Sequence, residues 1–177
     1  MRFRFLAAAS VTALAIATAP AHAQASLSLA GGLSAPVGTL GDLTDVGYNV
    51  AVGLNVGASL LPVGLKFEGA YNGFRVKNGA GDVRILSGTA NAVFNVGRTS
   101  NSPYLIAGLG AYNRRLSIDP FGSTRDKTAI GLNGGGGLRF PLVGLTTFFE
   151  ARYHVLLGDS NDAANYQFIP ITFGILF

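Results

Sequence analysis

The chain has no cysteine, few charged residues and, beyond its first 20 or so residues, no long hydrophobic run. The missing cysteines exclude disulfides, thiolate metal sites and a lipid-anchored amino-terminal cysteine. A helix that crosses a membrane needs about 20 consecutive apolar residues, so helical spans are excluded as well. The mean hydropathy is nevertheless +0.38. The hydrophobic residues must therefore be spread along the chain in another pattern.

The amino terminus has the features of a secretory signal peptide over Met1 to Ala23. Two arginines open it, an apolar stretch of insufficient length for a membrane span follows, and the small residues Ala21 and Ala23 fit a cleavage site. Cleavage would make Gln24 the first mature residue and leave 154 of the 177 residues, enough for a single domain. The formal charge falls from +4 to +2, which is weak evidence for nucleic-acid binding.

The remaining chain alternates apolar and small or polar residues in eight segments. Because successive side chains of a strand point to opposite faces, each segment has one apolar face and one polar face. Eight amphipathic strands without an apolar run are typical of a transmembrane β-barrel. The predicted strands are Ser26 to Ser34, Tyr48 to Gly57, Leu65 to Arg75, Leu86 to Val96, Tyr104 to Ser117, Ile130 to Phe140, Phe149 to Val155 and Gln167 to Phe177.

The last strand ends the chain on Phe177, with Phe173 and Ile175 on the same apolar face. A carboxy-terminal Phe behind alternating apolar residues resembles the assembly signal of bacterial outer-membrane barrels. The pattern from Gln24 to Phe177 resembles small barrels of the OmpA and OmpX type. The resemblance implies an all-β, eight-stranded antiparallel up-and-down barrel in the Gram-negative outer membrane, with assembly by the barrel-assembly machinery. Short periplasmic and longer extracellular connections alternate accordingly.

Charged residues lie on the inward parity of three predicted strands. We expect a buried salt-bridge network that fills the lumen, because an unpaired charge in a dry interior is costly. Its predicted members are Lys66, Glu68, Arg139, Glu150 and Arg152. Eight strands enclose only enough room for side chains, so a wide pore is excluded. The glycines of the segment 134–137 are expected to make room for bulky neighbours.

Three arginines, Arg75, Arg84 and Arg115, have the lipid-facing parity near the extracellular ends of their strands. If the turn between the third and fourth strands centres between Gly79 and Ala80, Arg75 lies opposite Arg84. If the turn after the fourth strand centres near Ser100, Arg115 lies beside them on the same face. Like charges in that arrangement repel, and guanidinium groups bind phosphate bidentately. We therefore predict a contact with lipopolysaccharide phosphates at this rim.

Three alternatives remain open. A soluble lipocalin-like barrel would have the opposite polarity, with its apolar face inward. A lipid A-modifying enzyme would need a catalytic base; His154 remains after cleavage, but its parity turns it inward and no serine partner is evident. A narrow gated channel for small solutes would need an open lumen.

The sequence thus predicts a monomeric outer-membrane barrel with a structural or surface-interaction role and no enzymatic activity. No metal or cofactor is expected. The expected partners are outer-membrane lipid, lipopolysaccharide and the assembly machinery.

Overall fold

The computed structural model describes residues 23–58, 63–77, 81–96, 101–118, 123–142, 145–157 and 166–177. The predicted signal peptide, including Ala21, lies outside these residues except for Ala23, which is the first residue of the first strand.

The described part of the chain contains eight strands and one short helix. The strands are β1 (Ala23–Val37), β2 (Gly47–Ala58), β3 (Val63–Arg75), β4 (Gly81–Asn95), β5 (Ser102–Ile118), β6 (Ser123–Leu142), β7 (Leu145–Leu156) and β8 (Gln167–Leu176), and the helix is α1 (Gly38–Leu43). Each strand is antiparallel to the next, and β8 pairs with β1, so the sheet closes on itself. The predicted fold class is confirmed. We call the end that holds β1's start and β8's end the lower end, and the opposite end the upper end.

The strands are staggered around the barrel. Paired residues can be followed once around the barrel from Phe177, which pairs with Leu27 of β1. The path ends on β8 at Gln167, ten residues above its start. It passes in order through Leu27, Leu54, Phe67, Ala90, Leu109, Leu132 and Val155. A stagger of this kind goes with strands tilted by about 35–45°, and eight such strands leave an interior just wide enough for side chains.

Large apolar side chains point out from every strand. Examples, one from each strand in order, are Leu27, Val52, Phe67, Leu86, Leu105, Leu132, Tyr153 and Phe173, all more than two-fifths exposed. Polar side chains point inward, among them Ser28, Asn49, Thr89, Asn133 and Thr172. The lipocalin-like alternative is wrong, because it requires the apolar face inside.

Two inward-facing glycines of β6 each lie beneath a tyrosine ring of β5. A Cβ added to Gly131 would lie 2.7 Å from the ring of Tyr112, and one on Gly137 would lie 2.5 Å from that of Tyr104. The missing side chains therefore leave space for large rings in a narrow lumen.

The upper ends of the strands differ from the prediction. β5 continues to Ile118 and β6 begins at Ser123, whereas the predicted strands end at Ser117 and resume only at Ile130. The polar residues here still pair across the hairpin, because backbone hydrogen bonding does not require an apolar face.

The predicted loop between β1 and β2 contains α1, which places the fully buried Leu40 in the upper mouth of the barrel. Thr44 ends the helix by donating its hydroxyl and its N–H to the Leu40 carbonyl, at 2.8 and 2.9 Å. No helix among the described residues is long and apolar enough to cross a membrane.

Candidate functional site in the lumen and at the upper rim

Four of the five predicted lumen charges form one buried ion-pair cluster. Lys66 Nζ lies 2.7 Å from Glu68 Oε2 and 3.2 Å from Glu150 Oε1. Arg152 Nε lies 2.9 Å from Glu150 Oε1, and Arg152 Nη2 also pairs with Glu68 Oε1. We call Lys66, Glu68, Glu150 and Arg152 the lumen cluster. Its two positive and two negative groups are each at most 6% exposed, and their charges balance.

The lumen cluster spans the barrel. Lys66 and Glu68 belong to β3, whereas Glu150 and Arg152 belong to β7, four strands away in either direction around the closed sheet. The contacts therefore tie opposite walls together across the lumen. Spacing by two residues puts both charges of each strand on the inward face. Because β3 and β7 run in the same direction, the opposite order of charge along them places Lys66 level with Glu150 and Glu68 level with Arg152.

Tyr104 is a further member of this polar layer that sequence analysis did not assign. Its hydroxyl donates to Glu150 Oε2 at 2.7 Å, while its ring lies over Gly137. The sequence signal was its inward parity on β5, since a buried tyrosine hydroxyl requires a hydrogen-bond partner.

Arg139, the fifth predicted member, lies beside the lumen cluster and makes different contacts. Its Nη1 donates to Asn95 Oδ1 at 2.8 Å, and its guanidinium lies 4.7 Å from the centre of the Tyr104 ring. Tyr104 contacts both groups, since its hydroxyl donates to Glu150 Oε2 and its ring faces the Arg139 guanidinium. The expectation of a five-residue ion-pair network is corrected to four residues plus an adjacent cation–π contact.

The upper part of the lumen is filled by an apolar cluster, which we call the plug. It consists of Leu40, Phe74, Val83, Ile85, Tyr112, Leu156 and Phe168, all buried. The rings of Phe74 and Phe168 meet edge-on, with centres 5.9 Å apart. The plug was not predicted, because its residues come from a loop helix and from five strands.

His154 points inward, as its parity predicts, and borders the plug. Its Nδ1 lies 2.9 Å from the Tyr112 hydroxyl, and its ring stacks on Phe168 with centres 4.9 Å apart. Only 3% of its surface is exposed. The ring is thus enclosed by aromatic side chains inside the barrel and does not reach the lipid-facing surface.

The rim arginines are exposed on the outer face, and the predicted register is wrong only between β3 and β4. Arg84 lies directly opposite Arg115, whereas Arg75 lies opposite Asp82 rather than Arg84. The Val76 N–H donates to the Gly81 carbonyl at 2.9 Å, which centres the hairpin one residue earlier than expected. The correction places an unlike charge opposite Arg75.

Carboxylates accompany the other two arginines. Arg115 donates bidentately to Asp126, from Nε at 2.7 Å and from Nη2 at 2.8 Å. Arg84 makes a longer contact of 3.6 Å with Asp82. The pair Arg115–Asp126 lies above the apolar belt, and its hydrogen bonds hold the pKa of Asp126 below the ordinary value of 3.8. Arg84 is therefore the less constrained of the opposed arginines.

The last strand presents Phe173, Ile175 and Phe177 on the outer face, and Phe177 is 64% exposed. Its N–H donates to the Leu27 carbonyl at 2.9 Å, and its own carbonyl accepts from the Leu27 N–H at 3.2 Å. The chain end is thus the last rung of the β1–β8 closure.

A closed antiparallel barrel with an apolar outer belt and a polar, side-chain-filled interior defines an integral outer-membrane β-barrel. Residues 6–177 match the family described as outer membrane protein beta-barrel domain. The chain belongs to this family, and it is a bacterial outer-membrane protein. Barrels of this class have short periplasmic turns and longer extracellular loops. The lower end, where only two residues separate β6 from β7, is therefore periplasmic, and the upper end is extracellular.

Solved structures agree on the fold. The chain is similar to Neisserial surface protein A, with a TM-score of 0.68, 18% identity, and coverage of 87% of this chain and 97% of that one. It is also similar to OprG of Pseudomonas aeruginosa, with a TM-score of 0.53, 14% identity, and coverage of 88% and 97%. No curated protein sequence matches it.

Proposed function

We propose that this protein is a non-conducting structural barrel of the outer membrane whose extracellular rim interacts with lipopolysaccharide. The observation that carries the proposal is the double closure of the lumen. The lumen cluster ties β3 to β7 across the barrel, and the plug fills the space above it. A permeating solute would have to break buried ion pairs and displace packed rings in succession.

The space left beside the lumen cluster supports this proposal. A cavity lined by Lys66, Tyr104, Arg139 and Glu150 has a volume of about 10 Å³. That volume holds roughly one water molecule. A hydrated ion needs a continuous path of larger cross-section, so the gated-channel alternative would require the side chains here to move.

The environment of His154 favours a non-catalytic role over lipid modification. A general base must come within hydrogen-bond reach of the group that it deprotonates. The Nδ1 of His154 is engaged with Tyr112, and the stacked Phe168 and the barrel wall separate the ring from lipid. An ester of an outer-leaflet lipid would not reach it without opening of the plug.

The proposed partners follow from the outer surface. Lipid covers the apolar belt, and lipopolysaccharide phosphates meet the rim at Arg75, Arg84 and Arg115. The barrel-assembly machinery would recognise Phe173, Ile175 and Phe177 before closure, since these residues end the strand that completes the barrel. We propose a monomer, as closure of the sheet leaves no free strand edge to pair with a second copy.

The test is refolding in detergent, electrophoresis of boiled and unboiled samples, and single-channel recording of the heat-modifiable species. The proposal expects a band shift without discrete conductance. Discrete openings that Arg139→Gln alters would establish a gated conduit instead. Release of fatty acid from lipid A by the wild-type protein, lost in His154→Phe, would establish the enzyme.

A further inference from the structure

The lipid-facing surface has an open groove of about 840 Å³ on β1–β5. Two glycines, Gly69 of β3 and Gly88 of β4, lie directly opposite each other in it. A Cβ added at Gly88 would meet nothing within 4 Å, and one at Gly69 would only touch Val52 at 4.0 Å. Phe67 and Leu109 also line the groove. The groove is therefore a depression in an otherwise bulky apolar belt.

The opposed arginines of the rim lie above this groove on two of its strands. Gly88 is four residues below Arg84 along β4, and its partner Ala111 is four residues below Arg115 along β5. Four residues of strand span roughly 13 Å at about 3.3 Å per residue. A cationic pair thus stands above the part of the groove formed by Gly69 and Gly88, from which the groove continues down the barrel wall toward Leu27 and Phe177.

We infer that Arg84 and Arg115, together with the groove at Gly69 and Gly88, form a binding site for one acylated, phosphate-bearing lipid of the outer leaflet. The phosphate lies at the arginines and an acyl chain lies in the groove. This inference rests on the lipopolysaccharide contact proposed above and adds the acyl-chain half of the site.

Charge complementarity selects this occupant. The two like-charged side chains face each other, an arrangement that costs stability in a sheet, and within the protein the charge of Arg115 is offset closely by Asp126 while that of Arg84 is offset only by the more distant Asp82. Asp126 holds the Arg115 guanidinium in place, while Arg84 makes only a 3.6 Å contact with Asp82 and is half exposed. Arg84 therefore has N–H donors for a phosphate, with which guanidinium groups form strong bidentate hydrogen bonds.

The test is native mass spectrometry of the refolded barrel in mild detergent, titrated with lipid A and with the same lipid lacking its phosphates. Gly88→Leu fills the groove, and Arg84→Gln removes the freer cation. The matched control is Ala92→Leu, which adds three carbon atoms, compared with four in Gly88→Leu, at a lipid-facing position four residues lower on β4.

We expect one lipid A to bind the wild-type protein and Ala92→Leu alike, with about tenfold weaker binding to each of the other two variants. Loss of the phosphates should weaken binding to the wild-type protein and to Gly88→Leu, but should matter little for Arg84→Gln. Equal binding to Gly88→Leu and Ala92→Leu would overturn the inference, as would a dimer that Gly88→Leu abolishes.

The same samples separate this inference from the proposed function. Heat-modifiability and the absence of conductance report on the plugged barrel and do not depend on lipid A. If those properties hold while lipid A binds all variants equally, the plugged barrel stands and the rim contact fails together with the groove. If Arg84→Gln weakens binding while Gly88→Leu binds as Ala92→Leu does, the rim contact stands and the acyl-chain groove alone fails.

Discussion

The lower and upper halves of the lumen are filled differently. Below, four charged side chains neutralise one another across the barrel beside small apolar clusters that include Phe148 and Ile106. Above, apolar side chains pack around Leu40 without any charged group in the cluster. Both arrangements exclude solvent from the same narrow space. The comparison teaches that a barrel with a polar inward face can close its lumen in two ways. Charges pair across the lumen within the membrane, and hydrophobic side chains pack together near the mouth.

The two halves should respond differently to mutation. A charge in the lumen cluster is stabilised only while its partners are present, so its loss harms the groups that remain. A ring in the plug contributes by contact with its neighbours, so its loss costs the contacts and leaves a cavity.

The largest expected effect is that of Glu68→Leu. It leaves Lys66 and Arg152 with one shared carboxylate, and a buried unpaired charge costs about 3–5 kcal/mol. The measurement is urea unfolding in lipid vesicles, followed by the electrophoretic band shift.

The matched control is the double variant Glu68→Leu with Arg152→Leu. It retains the Lys66–Glu150 pair at 3.2 Å and restores charge balance, so it should recover most of the lost stability. A double variant as unstable as the sum of the two single variants would show that the pairing is not what stabilises this half.

In the plug, Phe168→Ala should cost about 3 kcal/mol, because Phe168 is fully buried against Phe74 and His154. Phe173→Ala on the same strand faces lipid and serves as the control, with a smaller loss. Unlike Glu68→Leu, the Phe168 variant should not be rescued by changing any charge. Equal losses for both phenylalanines in the same unfolding assay would contradict the plug.

A smaller contrast concerns the glycines inside and outside the barrel. Gly131→Ala would place a Cβ 2.6 Å from the Val155 carbonyl oxygen and 2.7 Å from the Tyr112 ring, at a cost of about 1–3 kcal/mol. Gly88→Ala faces open space outside and should change stability by less than about 0.5 kcal/mol. Thermal unfolding read by the band shift would test both, and equal effects would contradict the tight internal packing.

The smallest effect belongs to the exposed rim. Asp126 should titrate below 3.8, and Arg115→Gln should move its pKa back toward that value. Because the folded-state pKa is lowered, the contribution of this pair to stability is present above the unfolded-state pKa and is lost as pH falls through the folded-state value. Carboxyl NMR titration of both proteins checks this; an unshifted Asp126 would mean that the ion pair does not persist.

Much of the fold was predictable because it depends on a local property. Alternation along a strand decides which side chains face outward, and Leu27, Phe67 and Phe173 all lie on the predicted outer face. The same parity placed Lys66 and Glu150 inside. The register of the β3–β4 hairpin was harder to predict. A turn centred one residue earlier than expected changes the cross-strand partner of Arg75 from Arg84 to Asp82. No pattern in the sequence determines where that turn centres.

By itself, the sequence determined the eight strands, the polarity of their faces and the inward direction of the lumen charges, since each follows from a two-residue period. Only the tertiary structure decided which of those charges meet. Closure of the barrel brings β3 opposite β7, so the paired residues are 84 positions apart in the sequence. The tertiary structure also decided that Tyr104 donates to Glu150 while Arg139 faces the Tyr104 ring, and that Leu40 enters the plug. These contacts arise from side-chain volume in a closed, narrow space, which no periodicity along the chain encodes.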